Sequence, residues 1–572
     1  MSPPASKPAL TTMQDHIPLV VTRCIEYAGQ YHADTEVVSR TVEGPTVRTN
    51  WREIRDRARA VALTLLDLGV KCDLDGEIGP GDRVATMAWN THRHLEVWYG
   101  IMGIGAICHT LNPRLFDADV EYIVNHAEDS ILLADISFAP KLAGLRAKLP
   151  TVKRYIFLTD EAHVPRAESA ALGALCYETL VAKNLPRASA FTWPELDERA
   201  ACGLCYTSGT TGRPKGVLYT HRSNMLHAIT GCLPDGMGAG TRDTMLAVVP
   251  MFHANSWGIA FGAPMAGMKL VLPASFLDGK SAYELMRQER VTHTAGVPTV
   301  WLAMLGYMEE NGLTLPDLRV LIIGGAAAPR KLFDFFWDKH GVDVRQMWGM
   351  TETSPLGTLG TMKHPPVSRA EELRRRLSQG RPHIFSELRI VDDAGRELPW
   401  DGKAFGNLHI RGPAVLRSYY RQDAPAVEAG DWFDTGDVST ISPDGWMQIT
   451  DRSKDVIKSG GEWISSIEIE NAAVGHPRVA EAAVIAIPHP KWTERPLLVV
   501  VPKAGAEELT KAHILDYLKD KIAKWWMPDD VVFLKEIPHT ATGKISKLLL
   551  RKQLGGYSFG DTSTADGPKA KL

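Results

Sequence analysis

Residues 206–216 read YTSGTTGRPKG, and the apolar run AACGLC at 200–205 stands directly before them. A short apolar run that gives way to three Gly, four Ser/Thr hydroxyls and one Lys reads as a buried strand opening into a loop. Such a loop suits an anion. Glycine lets backbone N–H groups approach phosphate oxygens, and Thr207, Ser208, Thr210 and Thr211 add hydroxyl donors. The spacing is not that of a Walker A loop, because neither Gly209 nor Gly212 is followed five residues later by Gly-Lys-Ser/Thr. Alone, the stretch fits a flexible Gly/Ser/Thr loop as well as a phosphate cradle.

Working outward, Asn50 offers a helix N-cap with Glu53 three residues on, and Ile54, Ala58, Val61, Leu65 and Leu68 recur at helical spacing up to Gly69. Short buried-strand runs alternate with helical patterns: VATMA from 84, ILLADIS, RYIFLTD, TMLAVVP, MKLVLPA and VLIIGGA. This alternation predicts an α/β domain of mainly parallel sheets flanked by helices. From about residue 380, SELRIVDDAGRELPW, GNLHIRG and GWMQITDR are short alternating strands separated by turn residues, so a small β-subdomain is expected to about 450. Beyond Lys454, apolar strands and the helix-like KAHILDYLKDKIAKWW predict a smaller α+β domain. The expected units are 1–453, 454–556 and a disordered tail from 557 to 572.

At 572 residues, with 44% hydrophobic and 23% charged residues and a net charge of -3, the chain has the composition of a multi-domain globular protein and no basic excess for nucleic acid. Seven Cys without a repeating spacing argue against a disulfide framework, and Cys202-x-x-Cys205 reads as core because no second pair completes a metal set. No apolar stretch reaches membrane-spanning length. The cytosol is the default location. The final Ala570-Lys571-Leu572 is similar to a peroxisomal address, which would imply an import receptor and the peroxisomal matrix in a eukaryotic host.

The pattern at 207–216 does not stand alone: QMWGMTE at 346–352, DTGD at 434–437, DRSKDVIKSGGEWIS at 451–465 and TATGK at 540–544 follow it in order. Together these resemble the adenylate-forming superfamily, which includes acyl-CoA synthetases, peptide-synthetase adenylation domains and firefly luciferase. The resemblance implies ATP, Mg²⁺ and coenzyme A as cofactor and co-substrates. Thr207, Ser208, Gly209, Thr210 and Thr211 would hold the β- and γ-phosphates, Thr351 would contact the α-phosphate and Glu352 would carry Mg²⁺. Asp437 would accept from the ribose hydroxyls with Arg452 beside it, and Gly325, Ala326, Trp348 and Gly349 would line the adenine. Trp348 departs from the Tyr commoner at that place. Lys215 is expected to be structural. Lys544 would lie between the carboxylate and the α-phosphate, Lys454 would be the hinge of a rotating C-terminal domain, and Gly460 and Gly461 would then admit the pantetheine arm. Lys458 is a further candidate for that second step.

The chemistry is coherent by itself. A carboxylate is a poor acyl electrophile, and joining it to AMP with loss of pyrophosphate creates a good leaving group. Bringing two anions together needs cations and N–H dipoles rather than a protein nucleophile. For the acid, PMFHANSWG places His253 after Phe252 and shows no carboxylate to hold an amino group, and too few residues follow Lys544 for a carrier domain. FHANSWG and GVPTVW look most like medium- and long-chain fatty-acyl-CoA ligases, a branch that contains methylmercaptopropionate ligases. His253, Trp257, Val297, Pro298 and Gly324 are the acyl-pocket candidates. A luciferase-like oxidase and a non-catalytic nucleotide-binding relative are the rival classes, and a homodimer is left open.

Overall fold

The computed structural model describes residues 13–14, 16–72, 81–207, 213–362, 368–459, 462–506, 508–539 and 545–559. The first helix read from sequence forms as Trp51–Asp67, with extended Asn50 accepting from the Glu53 backbone N–H at 3.0 Å. It stops at Leu68, where Gly69 turns the chain at φ +83°. Its Ile54, Ala58, Val61 and Leu65 are buried, as the 3.6-residue period requires.

The large N-terminal domain is built on two seven-stranded sheets. In the first, Leu175–Cys176, Arg154–Phe157, Ile131–Ala134, Arg83–Met87, Ile107–Thr110 and Ala201–Tyr206 run parallel in that spatial order, and Gly216–Thr220 returns antiparallel at the edge. In the second, Asp343–Gln346, Val320–Ile323, His293–Gly296, Thr244–Ala247, Lys269–Leu272 and Glu36–Arg40 run parallel, closed by antiparallel Thr46–Asn50. One apolar core joins Val84 and Cys202 of the first sheet to Val37, Ala247 and Ile322 of the second. The helix His92–Gly103 is buried at every position within it, as befits a helix packed on all sides. Cys202 and Cys205 are buried free thiols in this interior, in agreement with their reading as core.

The β-subdomain is a four-stranded antiparallel sheet of Glu387–Val391, Gly406–Arg411, Phe433–Ile441 and Met447–Arg452. The smaller C-terminal α+β domain pairs the long strands Val479–His489 and Thr493–Pro502 and packs the helices Ser466–Val474, Lys511–Leu518 and Lys547–Gln553 around them. Here the helix expected over KAHILDYLKDKIAKWW ends at Leu518, short of Trp525. Arg495 holds the carbonyls of Trp525 and Met527 at 3.0 Å each and so draws that stretch off the helical path. Tyr557 and Phe559, placed by sequence in the tail, pack against the C-terminal core, and the Tyr557 hydroxyl donates to Asp530. No helix among the described residues is long and apolar enough to cross a membrane.

Candidate functional site

The loop quoted first joins two paired strands, because Tyr206 lies opposite Gly216 in the antiparallel register. Its mouth is pinned: the Thr207 N–H donates to the Lys215 carbonyl at 2.9 Å and the Lys215 N–H to Thr207 Oγ1 at 3.2 Å. Ser208, Gly209, Thr210 and Thr211 lie outside the described residues. Lys215 sends its ammonium 4.6 Å above the centroid of the Tyr419 ring, and the Tyr419 hydroxyl donates to Glu352 Oε1 at 2.9 Å. This contact chain ties the loop to the 346–352 motif, and it uses Lys215 through an aromatic ring. Burial raises the Tyr419 hydroxyl well above its ordinary value, so it stays a proton donor.

Glu352 sits in a short 3-10 turn, Thr351–Thr353, and is 7% exposed. Burial pushes its carboxyl above the usual range, and the Tyr419 hydroxyl is the first of the groups that oppose the rise. The turn is anchored from two sides. The Tyr219 hydroxyl donates to the Thr351 carbonyl at 2.8 Å, and the Leu416 N–H donates to the Glu352 carbonyl at 2.8 Å. Gly349 is required there because a Cβ would come within 1.7 Å of the Pro355 carbonyl oxygen.

Trp348 is 7% exposed, and its indole N–H donates to Asp437 Oδ2 at 2.9 Å. Asp437 Oδ1 takes the Arg452 guanidinium at 2.9 Å, a pair set by the cross-strand register of Asp437 opposite Arg452. Asp437 is 2% exposed, and each of its carboxylate oxygens meets a donor. Gly325, at φ +78°, and exposed Ala326 follow the strand Val320–Ile323.

Of the acyl-pocket candidates, Trp257 and Gly324 meet. A Cβ there would meet Trp257 Cη2 at 2.8 Å, and the Gly324 N–H donates to Gly296, which precedes Val297 and Pro298 at the start of the helix Pro298–Asn311. His253 is half-buried at the head of the turn that carries Trp257.

Two lysines lie elsewhere. Lys454 is exposed just after Arg452, and Lys458 is exposed on the strand Ile457–Ser459 with its ammonium 3.8 Å from Asp393 of the β-subdomain. Gly460, Gly461 and Lys544 lie outside the described residues. Lys547, at the start of the helix Lys547–Gln553, is largely withdrawn from solvent. Its ammonium pairs with Glu470 at 2.9 Å and donates to the Ser466 hydroxyl, while the Ser466 N–H donates to Asp451 at 2.9 Å. The residues that sequence reasoning missed are Tyr419 and Tyr219. The pair Tyr419-Tyr420 in VLRSYYRQD and the Tyr in GVLYT were the available signals, and neither carries a motif by itself.

A doubly sheeted α/β domain with a loop pinned at its mouth, a buried acidic turn and a carboxylate held between Trp and Arg has the makings of an enzyme that binds a nucleotide. The chain belongs to the AMP-binding enzyme family: that family's model matches residues 25–420, and the AMP-binding enzyme C-terminal domain matches 468–544. Among curated proteins it is 45% identical to a medium-chain-fatty-acid CoA ligase of Ectopseudomonas oleovorans, over 96% of this chain and 98% of that one. It is 47% identical to a 3-methylmercaptopropionyl-CoA ligase of Ruegeria pomeroyi, over 94% and 97%. Among solved structures, the fatty acyl CoA synthetase of Mycobacterium tuberculosis superposes with a TM-score of 0.68 at 27% identity, covering 94% of this chain and 99% of that one. An anthranilate CoA ligase in complex with anthranoyl-AMP gives 0.82 at 24% identity, over 94% and 98%, a likeness of fold.

Proposed function

We propose that this chain is an ATP-dependent acyl-CoA ligase that acts on medium- to long-chain fatty acids. A carboxylate oxygen attacks the α-phosphorus of ATP and pyrophosphate leaves with the bonding electron pair. The thiolate of coenzyme A then attacks the acyl carbon of the mixed anhydride and AMP leaves. The observation that carries this reading is identity of 44% to 47% to acyl-CoA ligases over nearly the whole of both chains.

The residues divide the work by their chemistry. Thr207 and the loop after it cradle the outer phosphates, Thr351 donates to the α-phosphate, and Asp437 with Arg452 accepts and positions the ribose. Gly325, Ala326, Trp348 and Gly349 bound the adenine. Glu352 is a single buried carboxylate held by one hydroxyl, and this suits Mg²⁺, which binds through one or two carboxylates together with substrate phosphates and water. Bound there, Mg²⁺ would neutralise charge on the phosphates. Lys544 supplies the cation for the first step. Rotation about Lys454 exchanges it for Gly460 and Gly461 in the second, with Lys458 carried along.

His253, Trp257, Val297, Pro298 and Gly324 form the wall that meets the acid. A second reading is the same mechanism on 3-methylmercaptopropionate, favoured by 46% and 47% identity to two ligases for that acid. Pyrophosphate release, with and without coenzyme A, across straight-chain acids from acetate to stearate and 3-methylmercaptopropionate tests both. A coenzyme A-dependent peak among medium or long chains is the expected result. A peak at the sulfur-bearing acid selects the second reading, and no release with any acid refutes the enzyme.

A further inference from the structure

The segment Ala254–Gly258 runs through five consecutive left-handed residues, with φ of 42°, 53°, 52°, 49° and 73°. For L-residues this conformation is disfavoured by contact between Cβ and the following carbonyl, and it is ordinarily visited by single residues. Four of these five carry a side chain, so the surrounding structure must impose the turn. Gly258 is the exception, and it needs to be, since a Cβ there would sit 2.4 Å from the His227 ring.

What imposes the turn is buried and polar. Asn255 and Ser256 are each 1% exposed, and Asn224 of the helix His221–Cys232 is fully buried. The Asn255 amide donates to Asn224 Oδ1 at 2.9 Å, Asn224 donates to Cys202 Sγ at 3.2 Å, and Ser256 Oγ donates to the Val249 carbonyl at 2.9 Å. These bonds fix the two residues that precede Trp257. The indole, half-buried, is then delivered against Gly324, the glycine that admits its edge.

We propose that Asn255, held by Asn224, is a positioning residue that sets how far the Trp257 indole reaches towards Gly324, and thereby the chain length of the acid accepted. This rests on the reading of Trp257 and Gly324 as the wall that meets the acid. A buried amide pair is a strict spacer, because removing either partner takes a hydrogen bond from the other where bulk solvent does not reach. Asparagine also tolerates the left-handed conformation better than most residues, so its place in the run serves both backbone and side chain.

The test compares Asn255→Gly, Asn224→Ser and Trp257→Ala by kcat/KM for pyrophosphate release over the acid panel, with KM for ATP and Tm for each. Asn255→Gly permits the left-handed backbone and removes the side chain that carries the amide. Asn224→Ser leaves the turn's own sequence intact and serves if the first variant does not fold. The expected result is a loss of about fivefold or more in the preference between the best acid and the acid two methylenes longer, with KM for ATP unchanged. A lowered Tm with an unchanged acid profile in the Asn variants, while Trp257→Ala shifts that profile, would overturn the positioning role and leave the pocket standing. An unchanged profile in Trp257→Ala would overturn the pocket reading beneath it.

Discussion

Replacing Asp437 by Asn keeps the shape of the side chain and makes one of its two acceptors a donor. In the protein one oxygen accepts the Trp348 indole N–H at 2.9 Å and the other meets the Arg452 guanidinium at 2.9 Å. If the amide oxygen stays on the buried indole, the NH₂ faces Arg452, whose side chain is 44% exposed and can turn to water, so the variant loses about 1 kcal/mol or less of stability there. The sugar has no such escape. A hydrogen bond to a charged acceptor contributes about 1.5–3 kcal/mol, and tenfold in binding is about 1.4 kcal/mol, so ATP should bind roughly 10- to 150-fold more weakly. The assay is acid-dependent pyrophosphate release without coenzyme A, with ATP and 2′,3′-dideoxy-ATP compared. Asp437→Asn should raise KM for ATP in that range, leave KM for the dideoxy nucleotide within about threefold, and lower Tm slightly. If the variant keeps the wild-type preference for ATP over the dideoxy nucleotide, the ribose assignment is wrong.

Lys544→Ala should suppress adenylation while sparing thioester formation from supplied acyl-AMP, and equal loss of both half-reactions would defeat the hinge account. Tyr419→Phe removes the hydroxyl on Glu352 Oε1, so the Mg²⁺ concentration for half-maximal pyrophosphate release should rise about tenfold, and unaltered Mg²⁺ dependence would show that Glu352 does not need it. Asp135 is 1% exposed, and burial pushes its carboxyl up to about 7. A carboxyl raised in this way contributes stability that is complete below its ordinary value and is lost as pH rises through about 7. Asp135→Asn, which can still accept the Trp89 N–H, should therefore flatten the fall of Tm between about pH 4 and 7, and an unchanged slope would contradict the burial argument.

What could be read from sequence was local. Asn50, Glu53 and Gly69 state the limits of the helix between them, because a cap and a stop act within one turn. The run 200–205 announces a strand for the same reason. Contacts between distant segments left no such mark: nothing near Trp525 says that Arg495 will seize its carbonyl, and nothing near Lys547 says that Glu470 will pair with it. The nucleotide motifs were legible as a set, yet the bond from Trp348 to Asp437 and the path from Lys215 through Tyr419 to Glu352 depend on side-chain geometry that only the folded chain supplies. Likewise Asn255 and Gly258 in FHANSWG permit a left-handed turn, but nothing local says that Asn255 will bond to Asn224 of another helix.

The edge of the second sheet sets an order of assembly. Glu36–Arg40 lies parallel to Lys269–Leu272, with Val37 opposite Leu270, so a hairpin near the beginning of the chain finds its seat only after the ribosome has passed residue 272. Until then Val37 and Val38, both fully buried in the finished protein, are paired only within the hairpin, with Thr49 and Arg48, and lack the strand on their other side. The first sheet, whose strands all fall between residues 83 and 220, can close earlier, and the second waits with an open edge. Nascent chains arrested before Leu270 should thus be far more open to proteases and chaperones in their first fifty residues than chains released after it.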